Sequence, residues 1–126
     1  MTILTPAYKS IKQTIKINGR RIVLPTTFAD MIDERNGYRY PIHLFFSLQC
    51  SVSQTRSFHF IALYDSQTDH SDFNKIQINK RRIILPEEAI KHASLEDEIA
   101  IIGVNDHIEL WNPKTHQAYE NLQAIK

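Results

Sequence analysis

The sequence has little of what several classes of protein depend on. It has one cysteine, so it can form no internal disulfide and offers no thiolate cluster to zinc. No apolar run approaches the ~20 residues of a membrane helix, and the first ten residues lack a secretory apolar segment. With three glycines it has no glycine-rich phosphate loop, and it carries no nucleophile motif. These absences predict a cytosolic protein that is not an enzyme and has neither a membrane partner nor a small-molecule substrate.

The residues that could bind a metal are few and scattered. Asp69, His70 and Asp72 could in principle hold a hard cation, but they match no known loop spacing, so we predict neither a metal site nor a cofactor. The other histidines form no pair at helical spacing, which favours surface or packing roles. Cys50 is predicted to be buried and unreactive, because a free cysteine behaves as a small apolar side chain.

The chain does contain an internal duplication. Residues 15–25 read IKINGRRIVLP, and residues 76–86 read IQINKRRIILP. Eight of these eleven positions are identical at a constant offset of 61, and Val23 corresponds to the similar Ile84. One fixed offset across the whole motif indicates two copies of one structural unit.

Each copy has the pattern of two short strands around a tight turn. The alternating apolar residues on either side predict strands with one buried face. The asparagine between them suits a turn, so we expect a local hairpin with two arginines at its tip. Pro25 and Pro86 then end the second strand and begin a helix. In the second copy Glu87 and Glu88 lie in the first helical turn, where the helix dipole favours negative charge.

The remaining elements follow the same plan in both copies. We predict helices at 26–33, 86–92 and 113–122 and further strands at 43–50, 57–64, 98–104 and 108–111. The first copy is about 14 residues longer, and the predicted core includes Ile83, Leu85, Ile101 and Leu110. The predicted organisation is a flexible lead-in at 1–10, repeats at 11–65 and 75–112, a linker at 66–74 and a C-terminal helical segment at 113–126.

Positive charge is concentrated around the two repeated turns. It forms two basic clusters, which are Lys9, Lys12, Lys16, Arg20 and Arg21 in the first copy and Lys75, Lys80, Arg81 and Arg82 in the second. Residues 1–64 carry eight basic and three acidic residues, whereas residues 65–126 carry seven and eleven. No acidic residue interrupts either basic cluster, so the sequence suggests two basic prongs on a nearly neutral body. An arginine pair in one turn is more often a solvated surface, but its repetition favours a charged partner. Arginine suits phosphate oxygens or guanine O6 and N7, and a two-stranded tip can enter a major groove.

Two aromatic residues at strand ends are a weaker signal for nucleic acid. Tyr64 and Trp111 could stack on bases, but they end apolar strands. That position favours packing in the core or in a subunit interface.

The order of strand, basic turn, strand, Leu-Pro, helix and hairpin resembles a SpoVT/AbrB swapped-hairpin domain. Two such copies followed by an aromatic-Asn-Pro element resemble the MraZ family of bacterial transcriptional regulators. The residues that carry the resemblance are 82–86, 93–103 and 108–113 in the second copy, and 21–25 and 62–64 in the first. Both copies lack the aspartate that the family carries four residues before the motif arginine, and the segment between the copies is shorter.

The resemblance implies a mixed α/β, mainly β fold of two tandem swapped-hairpin repeats that form a pseudo-twofold unit. It also implies a nucleoid-associated homo-oligomer, such as a ring, that binds double-stranded promoter or operator DNA and regulates transcription. Arg21 and Arg82 are the DNA contacts that it implies most directly. The complete candidate DNA-binding set is Lys16, Asn18, Arg20, Arg21, Asn79, Lys80, Arg81 and Arg82.

Two other functions use the same fold. An antitoxin or a protein-interaction adaptor would bind DNA only to regulate its own synthesis. A degenerate scaffold would form oligomers without binding DNA.

Overall fold

The computed structural model describes residues 7–35, 44–53, 58–65, 74–78 and 81–124. Eight strands and three helices lie in these ranges. The strands are β1 (Lys12–Lys16), β2 (Arg21–Val23), β3 (Leu44–Val52), β4 (His59–Tyr64), β5 (Asn74–Ile78), β6 (Arg82–Ile84), β7 (Glu98–Val104) and β8 (His107–Trp111). The helices are α1 (Thr26–Arg35), α2 (Glu87–His92) and α3 (Pro113–Ala124).

The strands form one large antiparallel sheet and one small ribbon. The large sheet has the order β1-β7-β8-β4-β3-β5, and the ribbon consists of β2 and β6. The first strand of each copy therefore joins the hairpin of the other copy: β1 pairs with β7, and β5 pairs with β3. This exchange confirms the mainly β, tandem swapped-hairpin fold.

The prediction of a local hairpin around each basic turn is wrong. In the first copy the strands on either side of the turn are joined only at the bridge between Asn18 and Arg21, and then separate into different sheets. The exchange lets Ile15 lie opposite Ile99, and Ile22 opposite Ile83. A repeat of about fifty residues buries too little surface alone, so combining the apolar faces of both repeats is the more stable solution.

The strand registers locate the extra residues of the first copy. Gln13 pairs with Ile101 and its equivalent Asn74 pairs with Leu48, so β3 and β7 correspond at an offset of 53. Ile61 pairs with Leu110 and Leu63 pairs with Ile108, so β4 and β8 correspond at an offset of 47. The 14 additional residues therefore divide into eight before β3 and six between β3 and β4.

The core lies between one face of the large sheet, the ribbon and the first two helices. It buries the predicted residues Ile83, Leu85, Ile101 and Leu110, all at 0% exposure, which confirms that prediction. Helix α1 contributes apolar residues at helical spacing, as its sequence indicates. The α1 residues in the core are Phe28, Met31 and Ile32. None of the helices in the described ranges is long and apolar enough to cross a membrane.

The prediction that Cys50 is buried is wrong. It is exposed, because it lies beyond Leu48, the last buried residue of β3, where the strand extends past the core. Partial burial and the nearby carboxylate of Glu88 raise the pKa of the Cys50 thiol, so it stays protonated near neutral pH.

Candidate nucleic-acid interface

The two basic turns of the sequence converge on one ribbon. In the β2–β6 ladder Ile22 lies opposite Ile83, with Arg21 opposite Ile84 and Val23 opposite Arg82. Two further backbone hydrogen bonds extend the ribbon, from Leu24 N to Arg81 O at 2.7 Å and from Leu85 N to Arg20 O at 2.8 Å. These two bonds are equivalent at the repeat offset of 61, so the ribbon has a pseudo-twofold axis between its central isoleucines.

The ribbon has one buried and one exposed face. Ile22 and Ile83 point into the core, because alternate residues of a strand face opposite sides. The outward face presents four exposed side chains, two cationic and two apolar. These are Arg21, Val23, Arg82 and Ile84.

The turn of the first copy is tightly closed. Asn18 and Arg21 exchange two backbone hydrogen bonds of 2.9 Å, and Gly19 between them has φ of +65°, which glycine adopts without steric cost. Arg20 is exposed in this turn, and Lys16 is exposed at the end of β1. Lys16 and the turn residue Asn18 line, together with the ribbon, an open groove of about 510 Å³. The lining residues are Ile15, Lys16, Asn18, Arg21, Val23 and Arg82.

In the second copy Arg81 and Arg82 are exposed, and Nη1 of Arg81 lies 3.4 Å from the carbonyl oxygen of Leu24. That contact links the arginines of one copy to the backbone of the other. Asn79 and Lys80 of the candidate set lie outside the described residues.

The fold brings carboxylates close to the basic residues of the first copy, although these carboxylates are distant in the sequence. Glu98 lies directly opposite Lys16 in the β1–β7 ladder, and the backbone of Asp97 accepts a hydrogen bond of 3.0 Å from Ile17 N. Lys12, which belongs to the same basic cluster in the sequence, forms an ion pair of 2.7 Å with Glu120 of α3. These carboxylates partly offset the positive charge along β1, so the positive surface is centred on the ribbon arginines and on Lys16 beside them.

The two aromatic residues at the strand ends pack within the protein. Trp111 is 2% exposed and stacks on Phe60 at 4.6 Å between ring centroids. Tyr64 is half-buried, with its ring centroid 4.9 Å from that of His107. Both residues pack as their strand-end positions predict.

In the part of the chain that the structure describes, no three histidine, cysteine or acidic side chains lie close enough together to hold a metal ion. Asp69, His70 and Asp72 lie outside that part. The histidines within it have packing or hydrogen-bonding contacts. Nε2 of His92, for example, lies 2.7 Å from the carbonyl oxygen of Ser51, and its ring packs on His59.

The family model and the relatives that the chain matches all carry the name MraZ. Residues 79–125 match the family model described as "MraZ protein, putative antitoxin-like". A transcriptional regulator MraZ of Finegoldia magna is 24% identical over 119 residues, which cover 83% of this chain and 80% of that protein. The chain is therefore similar in sequence to MraZ proteins.

Two further relatives carry the same name as the Finegoldia protein. The transcriptional regulator MraZ of Pediococcus pentosaceus is 26% identical over 106 residues, or 73% of this chain and 71% of that protein. The Mycoplasmoides gallisepticum protein is 31% identical over 82 residues, covering 65% of this chain and 54% of its own length. The alignments with the Finegoldia and Pediococcus proteins are long enough to reach both repeats of the MraZ-like chain.

Proposed function

We propose that this MraZ-like chain is a transcriptional regulator that binds double-stranded DNA through the outward face of the β2–β6 ribbon. The observation that carries this proposal is the pseudo-symmetric placement of Arg21 and Arg82 on that exposed face. The candidate contacts are Lys16, Asn18, Arg20, Arg21, Asn79, Lys80, Arg81 and Arg82.

The shape of the ribbon suits duplex DNA. A two-stranded ribbon fits a B-DNA major groove about 12 Å wide, and its outward side chains then meet the edges of the base pairs. A guanidinium can bind guanine O6 and N7 together, with about 1–3 kcal/mol of discrimination for each well-formed pair. Arg20, exposed in the turn next to the ribbon, would contact phosphates, which fix position without reading sequence.

The names of the relatives support regulation of transcription and no catalytic role. A regulator of this kind would act in the cytoplasm, at the nucleoid, and would require no cofactor, membrane or small-molecule substrate.

We also propose that the chain associates with further copies of itself. Strands β1 and β5 are the two edges of the six-stranded sheet, and among the described strands each pairs with a neighbour on one side only. Unpaired strand edges favour association with a further chain. Closed symmetric assembly, such as a ring, would then place several ribbons on one DNA molecule and raise the overall affinity.

The experiment measures binding to duplexes selected from a random library and to unselected duplexes, at several salt concentrations. The variants are Arg20→Ala with Arg21→Ala, and Arg81→Ala with Arg82→Ala. Each double variant should bind the selected duplex more weakly. The slope of log affinity against log salt should flatten by roughly 0.9 for each phosphate that the variant no longer neutralises.

Lys114→Ala is the matched control, because Lys114 is exposed at the start of α3, outside both clusters. It should change neither affinity nor slope. A double-arginine variant with wild-type affinity and slope would show that its arginines do not contact DNA.

A second candidate is an antitoxin or interaction adaptor of the same fold that binds DNA for autoregulation. The family model that matches residues 79–125 is described as antitoxin-like, which supports this second candidate. If both double-arginine variants bind DNA like the wild type, the result would support the antitoxin or adaptor, or the oligomerising scaffold, instead of the transcriptional regulator.

A further inference from the structure

Two apolar side chains on the outward face of the ribbon serve neither the core nor the basic cluster. Val23 is 45% exposed and Ile84 is 56% exposed. These are the highest exposures among the large hydrophobic residues that the structure describes. The residues between them and the arginines, Ile22 and Ile83, are almost completely buried.

The position of these two side chains is systematic. They are equivalent at the repeat offset, and each lies directly opposite an arginine of the other strand, Val23 opposite Arg82 and Ile84 opposite Arg21. Cβ atoms of directly opposite residues in antiparallel strands are about 4.5–5.5 Å apart. Each arginine therefore has an apolar neighbour close enough for both side chains to reach adjacent base pairs.

This combination matches a particular chemical pattern in the major groove. Guanine presents O6 and N7, which a guanidinium binds, while thymine presents a C5 methyl group, which apolar side chains contact. We infer that Val23 and Ile84 contact thymine methyl groups beside guanines bound by Arg82 and Arg21, and so determine part of the sequence specificity. This inference rests on the proposed DNA binding and deepens it.

The groove beside the ribbon supports the assignment. Val23 lines it together with Arg21, Arg82 and Lys16, so an apolar side chain lies among three cationic ones in this groove. A solvated strand could carry polar residues at these positions at no cost. Two β-branched apolar side chains here reduce hydration of the face and suit it to a partner with both charge and methyl groups.

The pseudo-twofold axis adds a geometric consequence. Because Val23 and Ile84 are related by that axis, the two thymines should lie on opposite DNA strands, at equal distances from a local dyad. Two-fold symmetry in a protein is mirrored by approximate inverted symmetry in its site. The element contacted by one chain should therefore carry a guanine and a thymine in each half.

The test uses wild-type protein and a duplex selected from a random library. Each thymine is replaced in turn by uracil, which removes the methyl group and leaves base pairing intact. In each element contacted by one chain, two replacements, one on each strand, should each weaken binding about fourfold, which corresponds to roughly 0.8 kcal/mol for a buried methyl-sized group. Uracil at the other positions should have no effect.

Variants then assign each thymine to a side chain. Val23→Ser should abolish the uracil effect at one position only, and Ile84→Ser should abolish it at the other. The matched control is Val52→Ser, because Val52 is 44% exposed in β3, away from the ribbon. It should leave both uracil effects intact.

The outcomes separate the inference from the function beneath it. If the wild type binds the duplex with a clear salt slope but no uracil replacement matters, the inference is overturned and the proposed DNA binding stands. Uracil effects that persist unchanged in both serine variants would also overturn it. If the wild type binds no duplex, the proposed function fails first. Because the uracil series needs no variant, a serine variant that folds poorly does not prevent the test.

Discussion

A buried ion pair joins parts of the chain that are far apart in sequence, and its removal should be severe. Nε of Arg35, at the end of α1, lies 2.6 Å from Oδ2 of Asp65, and the two side chains are 4% and 0% exposed. The hydroxyl of Tyr8 donates to the same oxygen at 2.9 Å, and the Arg35 guanidinium lies 4.6 Å from the Tyr8 ring centroid. Burial and the carboxylate of Asp65 raise the pKa of Tyr8 far above its usual range, so Tyr8 remains a donor.

Asp65→Ala should lower the free energy of unfolding by about 3–5 kcal/mol, because the Arg35 charge would stay buried beside a cavity without its carboxylate. Tyr8→Phe removes one hydrogen bond to a charged group and should cost about 1.5–3 kcal/mol. Since stabilities of whole domains are typically only about 5–15 kcal/mol, the first effect is a large share of the total.

Urea unfolding, followed by circular dichroism at fixed protein concentration, measures both effects. The control is Glu87→Ala, which breaks the exposed Lys91–Glu87 pair at 3.8 Å and should change stability by less than about 0.5 kcal/mol. An Asp65→Ala variant within about 1 kcal/mol of the wild type would refute the assignment of a buried, mutually dependent pair.

Three further expectations test the fold and the assembly. Leu85→Ala should destabilise by roughly 2–5 kcal/mol, whereas Arg82→Ala should stay within about 0.5 kcal/mol, and urea unfolding would contradict the assignments if the two variants were equally destabilised. Light scattering at tens of micromolar should show at least a dimer, and a clean monomer would argue against the proposed assembly. Burial alone lowers the pKa of His107, but hydrogen bonds to Glu109 and Asp106 outweigh it and raise that pKa. The stabilisation from His107 should therefore be complete below its unfolded pKa of about 6.5 and disappear as pH rises through the folded value, a dependence that His107→Gln should remove.

The duplication makes much of the fold predictable. Ile83, Leu85, Ile101 and Leu110 are identifiable as core because alternation and repetition indicate the same buried faces. Helix starts follow from Pro25 and Pro86 together with the apolar spacing after them. Local patterns do not reveal the exchange of strands. Residues 12–16 have the same alternation whether they pair with their neighbour or with β7, so only the resemblance points to the swap.

The candidate site is predictable as a set of residues but not as a geometry. The sequence places Arg21 and Arg82 on separate turns, but the pairing of β2 with β6 brings them onto one ribbon. Nothing local in the sequence links positions 61 residues apart in this way. Sequence reasoning misses Val23 and Ile84, because they look like further members of alternating apolar runs. The available signal is their phase, since residues two positions after an exposed arginine share its face.

Pairs of distant charges are also hidden in the sequence. Arg35 and Asp65 lie thirty residues apart and match no motif, and Glu98 gives no sign that it will lie opposite Lys16. Ion pairs of this kind depend on which strands become neighbours.

Both arginine pairs of one chain should meet a single stretch of major groove. Protection of guanine N7 from methylation measures it, because that atom lies in the major groove. For the wild type bound to a selected duplex, each chain should protect guanines on both strands within about half a helical turn, or ~5 bp. Arg82→Ala should remove protection from one half of that element and Arg21→Ala from the other. Protected guanines a full turn or more apart for the two arginines, or no protection in the major groove, would contradict this arrangement of the arginines on DNA.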